Sequence, residues 1–307
     1  MRYVIIGNSI AAAGCIEGIR KIDDKNEIVV ISNEPYHIYS RPLISYWLSK
    51  KISDEKIYYR PFDYYEKYKV KPILGRKVER VDFENRKLYL DNKEEIYYDK
   101  LLIATGGKPF IPNIPGLNKK NVFTFIKFDD VKAIDQMICP GKRTIVVGGG
   151  LSGLKAAEAL TKRGCEVIVI ELAERILGSI LDEEGAKLVQ EELENHGIKF
   201  ILKNSLIEIL GDEKVEKVKL QDQEILPADL VVFSIGVIPN VDIFKDTPLN
   251  INRGIIVNEK METNIPDVYA AGDVVSAFDL ILEQNRVIPI LPNAYIQGEI
   301  AGQNMAG

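Results

Sequence analysis

Cysteine and histidine are scarce in this sequence, with three cysteines and two histidines among 307 residues. Cys15, Cys139 and Cys165 are too scattered for a disulfide framework or a metal cage, so we expect no metal site. No apolar stretch reaches the roughly 20 residues of a membrane-spanning helix, and the N-terminus lacks the layout of a signal peptide. These absences predict a protein of the reducing cytoplasm with no membrane span.

A strong charge bias is also missing. The formal net charge is -5, which argues against general nucleic-acid binding. A content of 46% hydrophobic and 28% charged residues is that of an ordinary globular protein. The length is sufficient for two domains.

The strongest positive signal is a glycine-rich turn in the middle of the chain. A short apolar strand over 144–147 runs into Gly148-Gly149-Gly150-Leu151-Ser152-Gly153 and then into a helix over 154–160. Glu171 lies 21 positions after Gly150, at the end of the next apolar run. This pattern indicates a dinucleotide site, in which the turn and helix N-terminus hold the pyrophosphate and the acid binds a ribose hydroxyl. The acid favours NADH, while Arg175 leaves NADPH open.

A weaker turn of the same kind lies at the N-terminus. Gly7-Asn8-Ser9-Ile10-Ala11-Ala12 follows an apolar strand over 3–6, with Ser9 in the middle glycine position and Ala12 in the last. Two strand–turn–helix units about 140 residues apart suggest two bound dinucleotides. Such a pair brings a flavin to a nicotinamide.

Irregular segments separate these units. We expect an irregular region over 35–53, a proline-rich linker over 109–116, a break over 234–240 and a closing helix over 294–304. The simplest arrangement returns the chain to its first domain after the break.

Five motifs in combination resemble one family. In chain order they are Gly7 to Ala12, Ser40-Arg41-Pro42-Leu43, Ala104-Thr105-Gly106, Gly148 to Gly153, and Tyr269-Ala270-Ala271-Gly272-Asp273. The chain resembles the FAD-dependent pyridine nucleotide-disulfide oxidoreductases, in particular the rubredoxin reductase, ferredoxin reductase and nitrite reductase flavin-domain branch. The resemblance implies an α/β fold of two Rossmann-like three-layer dinucleotide-binding domains. An NAD(P) domain over 111–235 would be inserted in a discontinuous FAD domain over 1–110 and 236–307.

The resemblance also implies the reaction and the residues that bind FAD. Hydride would pass from NADH to flavin N5, and electrons would then pass to rubredoxin, ferredoxin or another small acceptor. The first turn would hold the FAD pyrophosphate, Arg41 would lie near the phosphates, and Asp273 would accept a ribityl hydroxyl at the start of the closing helix region. The expected FAD-binding residues are Gly7, Ser9, Ile10, Ala11, Ala12, Asn33, Glu34, Arg41, Pro42, Val78, Thr105, Gly106 and Asp273.

Some of these assignments have alternatives. Asn33 stands where the family usually has its ribose-binding acid, with Glu34 beside it, and the choice between them is open. Both could instead be turn residues before Pro35. Asp273 could instead cap a helix, and Arg41 could be a surface charge. The expected NAD-binding residues are Gly148, Gly150, Leu151, Ser152, Gly153, Glu171 and Gly236.

The chain departs from the family in its cysteines and in two charges. The segment 37–48, where disulfide-reducing members carry redox cysteines, contains none, and no Cys-x-x-Cys occurs. A thioredoxin-reductase-like reaction is therefore disfavoured, and electrons should leave the flavin directly. Tyr46 replaces a family lysine, and Lys155 replaces a family glutamate. We expect Lys155 to supply the positive charge beside the flavin, the alternative being a solvent-facing side chain.

Two further features concern partners. Residues 50–71 carry seven basic and four acidic side chains, so they could dock an acidic electron-carrier protein, although a solvated face is the ordinary reading. Family members normally continue into a C-terminal interface domain, which we expect to be absent after Gly307. We therefore also consider a partner redox subunit, a homo-oligomer, and a flavin- and NAD-binding subunit with little activity alone.

Overall fold

The computed structural model describes residues 1–307, which form two compact units. The first unit comprises residues 1–40, 58–108 and 238–307, and the second comprises residues 41–57 and 109–237. Residues 41–57, which the sequence analysis placed in the first domain, therefore group with the second unit.

The helices and strands are numbered in chain order through both units. The helices are α1 (Ile10–Arg20), α2 (Ile44–Leu48), α3 (Tyr64–Lys67), α4 (Phe128–Met137), α5 (Leu151–Lys162), α6 (Glu183–Asn195) and α7 (Leu291–Ala306). The first eleven strands are β1 (Arg2–Ile6), β2 (Glu27–Ser32), β3 (Val70–Leu74), β4 (Val78–Asp82), β5 (Lys87–Leu90), β6 (Glu95–Tyr97), β7 (Lys100–Ile103), β8 (Gly107–Pro109), β9 (Val122–Thr124), β10 (Arg143–Val147) and β11 (Glu166–Ile170). The remaining strands are β12 (Lys199–Ile201), β13 (Leu206–Leu210), β14 (Lys217–Leu220), β15 (Ile225–Pro227), β16 (Leu230–Phe233), β17 (Val237–Pro239), β18 (Ile251–Asn252), β19 (Gly254–Ile256), β20 (Val268–Ala270), β21 (Val275–Asp279) and β22 (Gln284–Arg286).

The first unit is built on a five-stranded parallel sheet in the order β20-β7-β1-β2-β3. Its central strands are buried along almost their whole length, because helices and loops cover both faces. Between β3 and β7 the chain makes the antiparallel sheet β4-β5-β6, and a four-stranded sheet, β18-β19-β21-β22, follows later.

The second unit repeats this plan. Its parallel sheet has the order β12-β11-β10-β16-β9, and the antiparallel sheet β13-β14-β15 lies between β12 and β16 in the chain. In each unit the first strand, β1 or β10, lies between two parallel neighbours. One neighbour is the next strand of the βαβ unit, β2 or β11, and the other is a strand from later in the chain, β7 or β16. Ligands bind at such a switch point, outside the carboxyl ends of the strands.

Helices α1 and α7 of the first unit approach each other closely enough for backbone contact. A Cβ atom on Gly14 would lie 2.2 Å from the carbonyl oxygen of Tyr295, and one on Gly298 would lie 2.0 Å from that of Ala11. Glu17 reinforces the packing, since its carboxylate accepts hydrogen bonds from Arg60 Nε (2.8 Å) and the hydroxyl of Tyr295 (2.7 Å). These contacts hold α1 against the closing helix along most of its length.

Two local predictions need correction. The segment 35–53 is not wholly irregular, because it contains the 3₁₀ turn Arg41–Leu43 and the helix α2. Five residues are too few to show helical periodicity in a sequence. The break over 234–240 contains the strand β17. No helix combines the length and apolarity that crossing a bilayer requires.

Candidate functional site

The first glycine turn leaves no room for a side chain at its first position. Gly7 follows β1 with a φ of +120°, and a Cβ atom there would lie 2.0 Å from the carbonyl oxygen of Ala104. The Gly7 amide donates to the carbonyl oxygen of Ile31 at 2.8 Å, so the turn is fixed between β2 and β7. Only glycine tolerates this combination of conformation and contact.

The N-terminus of α1 directly follows this turn. Ser9 is the N-cap residue, but its hydroxyl makes no capping hydrogen bond, and the first turn of the helix contains no acidic side chain. The first amides of a helix lack partners within the helix and carry partial positive charge. Ile10, Ala11 and Ala12 are buried side chains, so their backbone amides are what this turn offers to an anionic ligand.

The ends of β7 and β20 bring two more predicted segments to the same edge of the sheet. Gly106 has a φ of +65° and open space where a Cβ would stand, and its carbonyl accepts from the amide of Asn240 at 2.9 Å. Gly272 has a φ of +84°, and a Cβ there would lie 3.2 Å from the Cβ of Ala11. The segments 104–106 and 271–273 therefore flank the first glycine turn. Thr105 is anchored by its hydroxyl, which donates to the carbonyl of Asn240 at 2.8 Å.

Asp273 does not precede a helix. Gly272 and Asp273 form a turn that leads into strand β21, and α7 begins only at Leu291. The expected position at the start of the closing helix is therefore wrong, and the alternative role as a helix cap falls with it. The Gly272 amide donates to Gln297 Oε1 at 2.9 Å, which holds the turn against α7.

The strand register gives Glu171 a counterpart in the first unit that is not evident from the sequence pattern. The amide of Gly7 donates to Ile31, and the amide of Gly148 donates in the same way to Ile170, each at 2.8 Å. The residue after Ile170 is Glu171, so its counterpart in the first unit is Ser32. Asn33 is exposed, while Glu34 is buried and accepts a hydrogen bond from the Tyr39 hydroxyl at 2.6 Å.

The last three predicted FAD contacts, Arg41, Pro42 and Val78, are divided between the two units. Arg41 lies in the second unit, where its Nη1 donates to the carbonyl of Ile126 at 2.9 Å, and Pro42 follows in the same 3₁₀ turn. Val78 is a buried residue at the start of β4 in the first unit.

The second glycine turn is built like the first. Gly148 has a φ of +113°, and a Cβ there would lie 2.4 Å from the carbonyl oxygen of Ser234. A Cβ on Gly153 would lie 2.0 Å from the carbonyl of Gly148, so the helix packs tightly against the turn. Gly150 is the N-cap of α5 and has open space around it, while Leu151 and Ser152 are exposed in the first helical turn. This helix end is accessible to an anion.

Glu171 closes the turn on one side. Its Oε2 accepts from the amide of Gly149 at 2.5 Å, and its Oε1 accepts from the amide of Ala173 at 2.8 Å. Each carboxylate oxygen keeps acceptor capacity for a second donor, such as a ribose hydroxyl. Arg175 follows, and its Nε is buried without a hydrogen-bond partner. Gly236 is exposed, with a φ of +108° and open space where a Cβ would stand.

Comparison with known proteins agrees with this geometry. Residues 1–298 match the family described as pyridine nucleotide-disulphide oxidoreductase. The chain belongs to this family. An NADH oxidase of Methanocaldococcus jannaschii is 38% identical over 316 residues, covering all of this chain and 70% of that protein. An assimilatory nitrate reductase electron transfer subunit of Bacillus subtilis is 34% identical over 307 residues, covering all of this chain and 39% of that protein.

Solved structures show the same fold. An NADH:rubredoxin oxidoreductase from Clostridium acetobutylicum is 28% identical, with a TM-score of 0.83, and all of this chain matches 75% of that chain. A ferredoxin reductase from Rhodopseudomonas palustris is 27% identical, with a TM-score of 0.93, and all of this chain matches 76% of that chain. The expectation of two Rossmann-like α/β domains is thereby confirmed.

Tyr46 and Lys155, which stand where the family usually has a lysine and a glutamate, are neighbours in the second unit. The Lys155 ammonium lies 5.7 Å from the ring centroid of Tyr46 and 2.9 Å from Glu158 Oε2. Lys51 and Lys162 pair with the same carboxylate. A hydrogen bond from Lys162 and a weaker one from Lys155, opposed by burial, lower the pKa of Glu158 to about 2. Three ammonium groups thus share one carboxylate beside an aromatic ring, leaving net positive charge.

The basic run over 50–71 is not one solvated face. It is divided between the two units after residue 57. Lys50 pairs with Asp135 at 2.7 Å in the second unit, and Arg60 pairs with Glu17 at 2.8 Å in the first. Part of the excess charge is therefore neutralised within the protein, and docking of an acidic protein on this run stays a prediction.

The cysteines lie away from the family's redox position. Cys15 is completely buried in α1, and its Sγ lies 3.7 Å from Met305 Sδ. Burial raises the pKa of this thiol far above its usual range. Cys139 and Cys165 are in the second unit, Cys139 exposed and Cys165 buried. No cysteine occurs over 37–48, as the sequence shows.

Proposed function

We propose that the protein is an FAD-dependent NADH:acceptor oxidoreductase. One observation carries this proposal: each unit has, at the switch point of its parallel sheet, a glycine turn whose first residue has a positive φ and no space for a Cβ. Such turns bring the backbone close to a pyrophosphate, and here there are two. We assign FAD to the first unit and NADH to the second.

The first unit fits FAD at several points. The amides that follow Ser9 would hold the pyrophosphate, and the backbone at Thr105 and Gly106 would pass the flavin end of the cofactor. Asp273 would accept a ribityl hydroxyl from its turn beside α1. Ser32 joins Asn33 and Glu34 as a candidate for the adenosine ribose. We retain Arg41, Pro42 and Val78 as further FAD contacts on the resemblance alone.

The second unit fits NADH. The α5 N-terminus, at Gly150 to Gly153, would hold its pyrophosphate, and Gly236 would line the nicotinamide side. Glu171 would bind the ribose hydroxyls through lone pairs that the amides of Gly149 and Ala173 do not use. A 2'-phosphate would meet this carboxylate at short range, which favours NADH over NADPH.

The protein would contribute to the reaction by positioning the two cofactors and by supplying positive charge. When bound, FAD accepts hydride from NADH and passes the electrons to an acceptor. No side chain has to move a proton for the hydride transfer, so the two turns act by placing their ligands. Lys155, with its partners Glu158 and Tyr46, would supply positive charge that stabilises the added negative charge.

A small electron-carrier protein is our proposed acceptor. Two of the similar structures are a rubredoxin oxidoreductase and a ferredoxin reductase, and both kinds of acceptor are small iron proteins. An anaerobic screen tests the proposal: the protein is reduced with NADH, candidate acceptors are added, and reoxidation of the flavin is followed. Reoxidation by a small carrier in preference to a disulfide substrate is expected. We also propose that the protein is located in a reducing cytoplasm, because its sequence is poor in cysteine.

A second candidate function is that of a redox subunit within a larger complex. Similar proteins include the nitrate reductase electron transfer subunit and a phenylglyoxylate dehydrogenase subunit epsilon of Aromatoleum evansii, the latter 29% identical. Under this alternative the isolated chain binds both cofactors but turns over slowly. The native mass of the protein purified from its source distinguishes the two, since a partner subunit adds mass beyond that of the chain or of a homo-oligomer.

Substitution of Glu171 is expected to remove the preference for NADH. Glu171→Gln keeps the size of the side chain but loses the charge and one acceptor, so the NADH preference should fall about ten- to a hundred-fold. Anaerobic stopped-flow reduction by NADH and by NADPH measures this at limiting nucleotide. Glu174→Gln is the matched control, because Glu174 is an exposed acid three residues later that pairs with Lys203 at 2.8 Å. Faster reduction of the wild type by NADPH would contradict the assignment.

Substitution of Lys155 is expected to slow flavin reduction without loss of either cofactor. Lys155→Met should lower the limiting rate of reduction by NADH about tenfold, which corresponds to roughly 1.4 kcal/mol in activation free energy. It should also make the flavin reduction potential more negative. Lys162→Met is the control, because Lys162 shares Glu158 but lies two helical turns further from the glycine turn. Equal effects of the two substitutions on rate and potential would show that Lys155 acts only through the stability of this cluster.

A further inference from the structure

Two cysteines that are 26 positions apart in the chain lie side by side in the second unit. The Sγ of Cys165 is 3.9 Å from the carbonyl oxygen of Cys139. Cys139 follows α4, and Cys165 directly precedes β11. Their separation in sequence gives no sign of this proximity.

Backbone contacts on both sides hold the two cysteine segments together. The amide of Gly141 donates to the carbonyl of Gly164 at 2.8 Å, and the amide of Glu166 donates to that of Lys142 at 2.8 Å. The amide of Lys142 donates to the carbonyl of Cys139 at 3.2 Å, which closes a turn that brings Cys139 back toward β11.

Pro140 completes this arrangement. A Cβ on Gly164 would lie 3.2 Å from the Cα and Cβ of Pro140, so the residues next to the two cysteines are themselves in contact. A disulfide requires Cα atoms about 4.4–6.8 Å apart, and the contacts on both sides of the pair keep the two cysteine segments adjacent.

We propose that Cys139 and Cys165 form a peroxide-inducible disulfide. Cys139 is exposed and Cys165 is only 5% exposed, which gives the two thiols different roles. Hydrogen peroxide transfers one oxygen atom to the sulfur of Cys139, forming a sulfenic acid and releasing water. The sulfur of Cys165 then attacks the sulfur of Cys139, and the sulfenic oxygen leaves as a second water with the proton of Cys165. Two thiols are oxidised by two electrons and one peroxide is reduced.

The chemistry of the two sites agrees with this order. Burial, opposed by the nearby Thr144 hydroxyl and reinforced by the neighbouring Cys139 thiol, raises the pKa of Cys165. Cys165 is shielded from the oxidant, while the exposed Cys139 meets it first. Cys15 cannot compete, because it is completely buried in the first unit.

The position of the pair predicts a structural effect and spares the nucleotide site. The disulfide would tie the end of α4 to the start of β11, closing a loop through β10 and α5. The cysteines lie where β10 and β11 begin, whereas the glycine turn lies where β10 ends, about 16 Å away along five residues of strand. Closing the loop restricts the unfolded chain, so oxidation should stabilise the second unit.

The full-length, FAD-loaded protein tests this directly. It is reduced with dithiothreitol, desalted and treated with hydrogen peroxide. We expect loss of two of the three titratable thiols, a mass 2 Da lower, a peptide that joins Cys139 to Cys165, and full reversal by dithiothreitol. Cys15→Ala should behave in the same way apart from its missing thiol. Cys139→Ser, an exposed and conservative change, should show neither the mass loss nor the joined peptide.

A thermal measurement supplies an independent readout. Oxidised wild-type protein should unfold several degrees above the reduced protein, and oxidation should leave the Tm of Cys139→Ser unchanged. The proposal is overturned if peroxide adds oxygen to Cys139 while Cys165 remains a free thiol. It is equally overturned if the only disulfide joins Cys139 residues of two different chains.

Discussion

Replacement of Gly7 by alanine is expected to leave the protein without FAD. Gly7 has a φ of +120°, and the new Cβ would lie 2.0 Å from the carbonyl oxygen of Ala104, closer than atoms approach without displacing the backbone. Relief of this clash separates β1 from β7 or breaks the hydrogen bond from Gly7 to Ile31, and either change moves the amides that follow Ser9. We expect the ratio of flavin to protein, measured by absorbance after reconstitution with FAD, to fall at least about tenfold.

Gly75→Ala is the matched control for this substitution. Gly75 also has a positive φ, +71°, and lies in the same unit, but the nearest atom to a Cβ there is the Cβ of Pro35 at an ordinary 3.5 Å. It therefore introduces backbone strain without a clash and should retain FAD. Circular dichroism establishes that both variants are folded. Equal FAD content in folded Gly7→Ala and Gly75→Ala would exclude the first glycine turn as the FAD site.

Replacement of Gly148 by alanine is expected to give the complementary result: FAD retained and reduction by NADH lost. The φ of Gly148 is +113°, and a Cβ would lie 2.4 Å from the carbonyl oxygen of Ser234. The displaced turn would pull its amides away from the NADH pyrophosphate. In anaerobic stopped-flow experiments we expect the NADH concentration for half-maximal reduction to rise about a hundredfold or more, the loss of roughly two charge-assisted hydrogen bonds.

The control for the second turn is Gly197→Ala. Gly197 has a φ of +89° in the same unit and nothing within 4 Å of a Cβ, so it carries the strain alone. Its reduction by NADH should match that of the wild type. Loss of FAD from Gly148→Ala, with the first turn untouched, would mean that the two units do not divide the cofactors as we propose.

The glycine turns could be predicted from sequence because the signal is local. Each places its glycines, its strand and its helix within about 20 residues, and spacing alone encodes that geometry. The resemblance extended the prediction to the fold of the whole chain, and the match over residues 1–298 confirms the family. The parallel sheets follow from the same alternation of strand and helix.

Other features were beyond the sequence because they depend on contacts between distant segments. The pairing of β1 with β2 decides that Ser32, rather than Asn33, is the counterpart of Glu171. Tyr46 and Lys155 were recognised as separate departures, and only the packing of α2 on α5 shows that they are neighbours. The strand after Asp273 was missed because β21 and β22 form a hairpin with an exposed apolar tip, which has no clear alternation of polar and apolar residues.

The central claim is that one chain delivers electrons from NADH to FAD without a thiol relay, and an anaerobic NADH titration tests it most directly. The protein is desalted and titrated in its air-oxidised form, so that any redox-active disulfide is present at the start. One equivalent of NADH per flavin should then bleach the flavin absorbance completely, and acid should release FAD. The triple variant Cys15→Ala, Cys139→Ser, Cys165→Ala should give the same endpoint. Release of FMN, absence of bleaching, or a second two-electron equivalent that disappears in the triple variant would contradict the account.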